Sequence, residues 1–123
     1  MDNKEVILIV EDEFNLRQMM ADTLRESGYE VLEAEDGADA LKQLQSQALP
    51  SLITTDISMP GIDGYQFINS LRQDPVYMKI PVMIVSGEHD LDQIATRLQV
   101  KDYIPKELMH ELFLEKIKGI LRH

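Results

Sequence analysis

Residues 6–13 read VILIVEDE, an unbroken apolar run rich in β-branched side chains that stops abruptly at three carboxylates. Consecutive apolar residues without polar alternation describe a strand buried on both faces, the habit of parallel sheets covered by helices. The run is too short for a membrane span or a signal-peptide core. Similar runs recur as YEVLEA at 29–34, SLITT at 51–55, PVMIVS at 81–86 and, more weakly, DYI at 102–104. Between them lie segments of helical period. Leu16, Met19, Met20 and Leu24 mark the first, which Gly28 is placed to end; Ala38, Leu41 and Leu44 mark the second, after an Asp36 cap. Tyr65, Ile68 and Leu71 give a short third helix, and Leu91, Ile94, Ala95 and Leu98 a fourth. Met109, Leu112, Phe113, Ile117 and Ile120 mark the last. Strand–helix alternation repeated five times predicts an α/β fold, a doubly wound parallel sheet with helices on both faces. The expectation is a single domain over 1–123, with residues 1–4 as a loose N-terminus.

The chain has 123 residues, with 22 Asp and Glu against 12 Lys and Arg, a net charge of -10. That balance argues against direct nucleic-acid binding, which needs a basic footprint, and against anionic membranes. Without cysteine there is no thiol catalysis, disulfide or thiolate metal site. A cytoplasmic protein is expected. The charge is uneven: residues 1–63 hold 14 acidic and 4 basic side chains, whereas residues 64–123 hold 8 of each.

In an open α/β sheet, ligands bind beyond the carboxyl ends of the strands, where strand order reverses. The residues there are Glu11-Asp12-Glu13, Asp56, Ser86 and Lys106. If the first and third strands are neighbours, Glu11, Asp12 and Asp56 converge. Two unit charges 4 Å apart repel by about 4 kcal/mol at an effective dielectric of 20, so the cluster needs a cation or a shared proton. Oxygen ligands without His or Cys suit a hard divalent ion, Mg2+ or alternatively Mn2+. Glu13 reads as an ordinary acidic first turn of a helix. Lys106 and Ser86 would supply an ammonium and a hydroxyl, which is what a phosphoryl group on Asp56 requires. His89, His110 and His123 share no ligand spacing, and the seven Met residues read mainly as core filling.

Four motifs in order carry a resemblance: ILIVED at 7–12, TTDISMPGIDG at 54–64, VMIVSG at 82–87 and DYIPK at 102–106. The chain resembles the response-regulator receiver domains of bacterial two-component signalling, in their chemotaxis-regulator-like form. The resemblance implies a flavodoxin-like sheet of order 2-1-3-4-5. It implies Asp56 as phosphoacceptor from a histidine kinase or histidine phosphotransfer protein. By the same resemblance Mg2+ is held by Asp12, Asp56 and the backbone carbonyl of Ser58, with Glu11 acting through a metal-bound water. Lys106 pairs with the phosphoryl group, Ser86 shifts to bond it, and Tyr103 rotates inward. Ser58 and Glu88 border the phosphoryl group and tune its lifetime. Output would pass to a partner protein through the fourth helix, fifth strand and fifth helix. Met59-Pro60 and Asp63-Gly64 read as a turn and a helix start that shape the loop presenting Asp56.

Three departures from the family pattern stand out. Glu107 replaces the proline expected after the lysine, which predicts a rebuilt turn and a less firmly aimed Lys106. Gln99-Val100-Lys101 replaces a Gly-Ala pair before the fifth strand. The Ser86-to-Lys106 segment is short, which predicts a truncated or irregular fourth helix. Two other readings compete. A phosphohydrolase of the haloacid dehalogenase type also uses an Asp nucleophile and Mg2+, but it needs a second Asp where Ser58 stands. A degenerate receiver would bind partners without phosphorylation.

Overall fold

The computed structural model describes residues 4–46 and 48–122. Five parallel strands form one sheet in the order β2-β1-β3-β4-β5. They are β1 (Val6–Val10), β2 (Glu30–Ala34), β3 (Leu52–Thr55), β4 (Val82–Ser86) and β5 (Asp102–Pro105), each within about a residue of the apolar run that announces it. The helices are α1 (Phe14–Glu26), α2 (Gly37–Ser46), α3 (Gly64–Arg72), α4 (Leu91–Leu98) and α5 (Met109–Leu121). This is the flavodoxin-like order that the resemblance implies. The chain reverses direction across the sheet between β1 and β3, which pair directly with Val10 opposite Thr55.

The strands are buried on both faces because each face meets its own helices. Ile7, Ile9, Leu52, Met83 and Ile104 pack with Met20 and Leu24 of α1 and Phe113 and Ile117 of α5. On the other face, Leu8, Val10 and Ile53 meet α2 and α3, while Ile84 meets Ile68 of α3 and Ile94 of α4. The helix ends follow their local chemistry. Asp63 caps α3 by accepting the Gln66 N–H at 2.9 Å, while Gln66 accepts the Asp63 N–H at 3.1 Å. Asp36 accepts the Asp39 N–H at 2.8 Å at the start of α2. Gly28, just beyond α1, takes φ +94, a left-handed value that a side chain would resist.

Some expected faces are corrected. In α2, Leu44 is buried and Leu41 packs against the core as expected, but Ala38 is exposed and Gly37 and Ala40 turn inward instead; that small pair carries almost no hydrophobic signal. In α5 the buried row is Met109, Phe113, Ile117 and Leu121, a strict four-residue step that leaves Leu112 36% exposed. The α4 helix is regular over its eight residues, with Asp90 and Gln99 both at φ 57 on either side of it. Of the methionines, Met20, Met59, Met83 and Met109 are buried, whereas Met78 is exposed. His89 and His110 are exposed; residues 1–3, Gln47 and His123 lie outside the described residues.

Candidate functional site

The sheet carries its polar residues to the carboxyl ends of the strands. Glu11 follows β1, Asp56 follows β3, Ser86 closes β4 and Lys106 follows β5. They line a cleft of about 450 Å³ together with Asp12, Glu13, Ser58, Gly87 and Glu88. Each is held by backbone. The Glu11 N–H donates to Ala34 O at 3.0 Å and the Asp56 N–H to Val10 O at 3.2 Å, so the first three strands fix both carboxylates in register.

Asp56 is 4% exposed. Its Oδ1 accepts the N–H groups of Ile57 at 2.6 Å and Ser58 at 3.3 Å, which sets the plane of the carboxylate. The loop that follows is pinned where Gly64 N–H donates to Ile57 O at 2.8 Å. A Cβ at Gly64 would collide with the backbone of Asp56 and Ile57, so α3 can approach the aspartate this closely only with glycine there.

Lys106 Nζ lies 2.8 Å from Asp56 Oδ2 and 3.4 Å from Glu11. The sequence predicts a loosely aimed lysine, and the structure corrects this. Lys106–Leu108 forms a single turn of 3₁₀ helix after Pro105. Two carboxylates nevertheless capture the ammonium. Burial lowers the pKa of Lys106, but the hydrogen bond and charge of Asp56, joined by those of Glu11, outweigh it and the net direction is upward.

Glu11 is 1% exposed, and burial pushes its carboxyl up to about 7 from an ordinary 4.5. The Glu13 N–H, donating at 3.1 Å, and the Lys106 charge oppose that rise, while the Asp56 charge adds to it. Carboxylate oxygens of Glu11, Asp12 and Asp56 lie within 4.8 Å of one another, the convergence that adjacency of β1 and β3 implies. One lysine does not neutralise three carboxylates, and this all-oxygen donor set fits a hard divalent cation.

Ser86 Oγ accepts the Glu88 N–H at 3.3 Å at the cleft edge, with Ser58 and Glu88 exposed beside it. Tyr103 does not line the cleft. It is half-buried on the edge strand β5, opposite Ile84, and packs with the α3–α4 side of the core. Sequence reasoning overlooks Arg17, whose Nη1 donates to Glu11 O at 2.7 Å and whose Nε lies 3.4 Å from Glu33. The signal was an arginine one step from Leu16 on the inward side of α1.

A cleft centred on a buried aspartate, faced by a lysine at the reversal point of a doubly wound sheet, defines a receiver-type site. Residues 7–118 match the response regulator receiver domain, and the chain belongs to that family of two-component signalling domains. It is 31% identical to the chemotaxis protein CheY1 of Helicobacter pylori, covering 94% of this chain and 95% of CheY1. It is 33% identical to the phosphate regulon transcriptional regulatory protein PhoB of Escherichia coli, covering 94% of this chain but about half (51%) of PhoB. The solved structure of response regulator TrrA of Thermotoga maritima, in complex with Mg2+ and BeF, superposes with a TM-score of 0.82 at 29% identity, covering 95% of this chain and 99% of TrrA.

Proposed function

We propose that this chain is a phosphorylation-controlled signalling switch whose Asp56 accepts a phosphoryl group from a phosphohistidine donor. The observation that carries the reading is the Lys106–Asp56 contact of 2.8 Å across 50 residues of sequence, inside a three-carboxylate cleft. An Asp56 carboxylate oxygen attacks phosphorus, an O–P bond forms, and the P–N bond to the donor imidazole breaks. The leaving nitrogen retains the electron pair and takes up a proton. Lys106 faces the developing negative charge with an ammonium that its two carboxylate partners keep protonated.

Asp12, Asp56 and the carbonyl of Ser58 would hold Mg2+, with Glu11 behind them. When bound, the ion neutralises the crowded carboxylates and the incoming phosphoryl oxygens. Ser86 then gives its hydroxyl to a phosphoryl oxygen, and the half-buried Tyr103 on β5 reports that movement to the α4–β5–α5 surface. The complexed state of TrrA supports the same reading. Phe14, 61% exposed and next to Glu13, and Leu108, 43% exposed and two residues beyond Lys106, offer apolar contact for the donor histidine protein. The chain acts on itself rather than on a free substrate, and the cytoplasm, where such donors reside, is its proposed location.

The test is incubation with Mg2+ and acetyl phosphate, followed by intact mass. One phosphoryl adduct is expected, and Asp56→Asn should remove it. Absence of an adduct and of beryllofluoride binding at millimolar Mg2+ would overturn the reading. Sustained turnover of varied phosphomonoesters would indicate a phosphohydrolase instead.

A further inference from the structure

The opposite end of the sheet carries a second concavity, of about 350 Å³, around the starts of β4 and β5. With about 3.3 Å per residue, the length of β4 places it roughly 13 Å from the phosphoacceptor cleft. Its charge is reversed relative to the chain as a whole. Arg72 at the end of α3, Lys79 before β4 and Lys101 before β5 all line it, and the carboxylate among its lining residues, Asp102, is half-buried. Neither Lys79 nor Lys101 forms an ion pair among the described residues. Three cations at one rim are conspicuous on a chain of net charge -10.

Between the cations the lining is apolar, from buried Val100 and half-buried Ile80 to Met78, which is 53% exposed. The wall is preformed. Arg72 Nη2 donates to Gln99 O at 3.0 Å, tying α3 to the α4–β5 loop, and Gln99 holds a left-handed φ of 57. The chain's own Gln99-Val100-Lys101 segment therefore builds this feature.

We propose that this groove is a docking surface for an acidic peptide segment of a partner protein, one that alternates carboxylates with apolar side chains. The cations meet the carboxylates and the Met78–Val100 floor takes the apolar groups. Charge complementarity selects this occupant. A nucleic acid would find three cations against an acidic surface and nothing for an apolar floor to recognise.

The experiment titrates the isotope-labelled full chain with a short synthetic peptide of alternating glutamate and leucine, read by amide chemical shifts. Shifts are expected at Lys79, Gln99 and Lys101, weakening with added salt. The double variant Lys79→Glu with Lys101→Glu should weaken binding by about tenfold or more while still taking up a phosphoryl group from acetyl phosphate. Both positions are exposed, so folding is preserved. No shifts, shifts confined to the Asp56 cleft, or binding unaffected by the charge reversal would overturn the proposal. So would tighter binding of a single-stranded oligonucleotide, or groove shifts that follow protein concentration without peptide, which would mark a contact between copies.

Discussion

The two ends of the sheet handle charge in opposite ways. At the carboxyl ends, Glu11 and Asp56 are 1% and 4% exposed and share Lys106. At the amino ends, Lys79 and Lys101 stand in solvent around an apolar floor. A charge in water interacts weakly with its neighbours and costs little to keep, whereas a charge out of water is coupled to every proton, cation and dipole nearby. The same residue types should therefore govern stability, pH response and metal response at one end of the strands and almost none of these at the other.

The largest effect expected is a pH dependence. Glu11 has a folded pKa of about 7 and an ordinary value of 4.5, so between those values the folded chain binds more protons than the unfolded one. Stability then falls as pH rises through that window, by up to about 3 kcal/mol in the absence of metal, and levels off above it. On the proposed function Mg2+ would bind the ionised cluster, so it should add more stability at pH 8 than at pH 5. Urea unfolding from pH 5 to pH 8, in EDTA and then in Mg2+, measures both. A flat profile in EDTA would show that Glu11 is ionised throughout and that the buried end behaves like the exposed one.

A matched pair of lysines sharpens the contrast. Lys106→Ala leaves two buried carboxylates without their cation and should cost about 1–3 kcal/mol in EDTA at pH 7, less than a fully buried pair because the lysine side chain is 30% exposed. The loss should shrink in Mg2+, and the variant should still bind the metal while losing its conformational response to phosphorylation. Lys101→Ala should stay within about 0.5 kcal/mol in either condition. Equal losses at the two positions would break the comparison.

How far the sequence carries these conclusions depends on the range of the interaction. Strand positions are legible because burial on both faces writes itself into consecutive residues, as VILIV at 6–10 shows. Helix faces are less so. Gly37 and Ala40 face inward with hardly any apolar surface to announce it, and Leu112 faces solvent despite its hydropathy. For the site, strand-end logic finds Glu11, Asp12, Asp56, Ser86 and Lys106. It sets Lys106 facing Asp56 across 50 residues but misjudges how firmly, and here the family pattern misleads, because two carboxylates outweigh the missing proline. The groove at the amino ends is illegible in advance: Arg72 and Lys79 come from opposite ends of the segment between α3 and β4, Lys101 comes from the separate β4–β5 connection, and only the parallel register brings them together.

The smallest effect concerns the strand that presents Asp56. Thr54 is fully buried, and among the described residues its Oγ1 has no hydrogen-bond partner. It lies in register with Ile9 and Met83, on an apolar stretch of the sheet. Its neighbour Thr55 differs, donating to Asp56 O at 2.9 Å. An unmatched hydroxyl in such surroundings costs about 1–3 kcal/mol, and valine keeps both the branched shape and the strand preference. Thr54→Val should therefore stabilise the fold by about 1 kcal/mol and raise Tm by roughly 4 °C. Thr55→Val, which removes a hydroxyl that has a partner, should destabilise it by a similar amount. Calorimetry on both variants distinguishes a hydroxyl that is merely tolerated from one that serves the site. If Thr54→Val were destabilising, the polar character of the carboxyl ends would extend one layer deeper into β3 than the burial pattern implies.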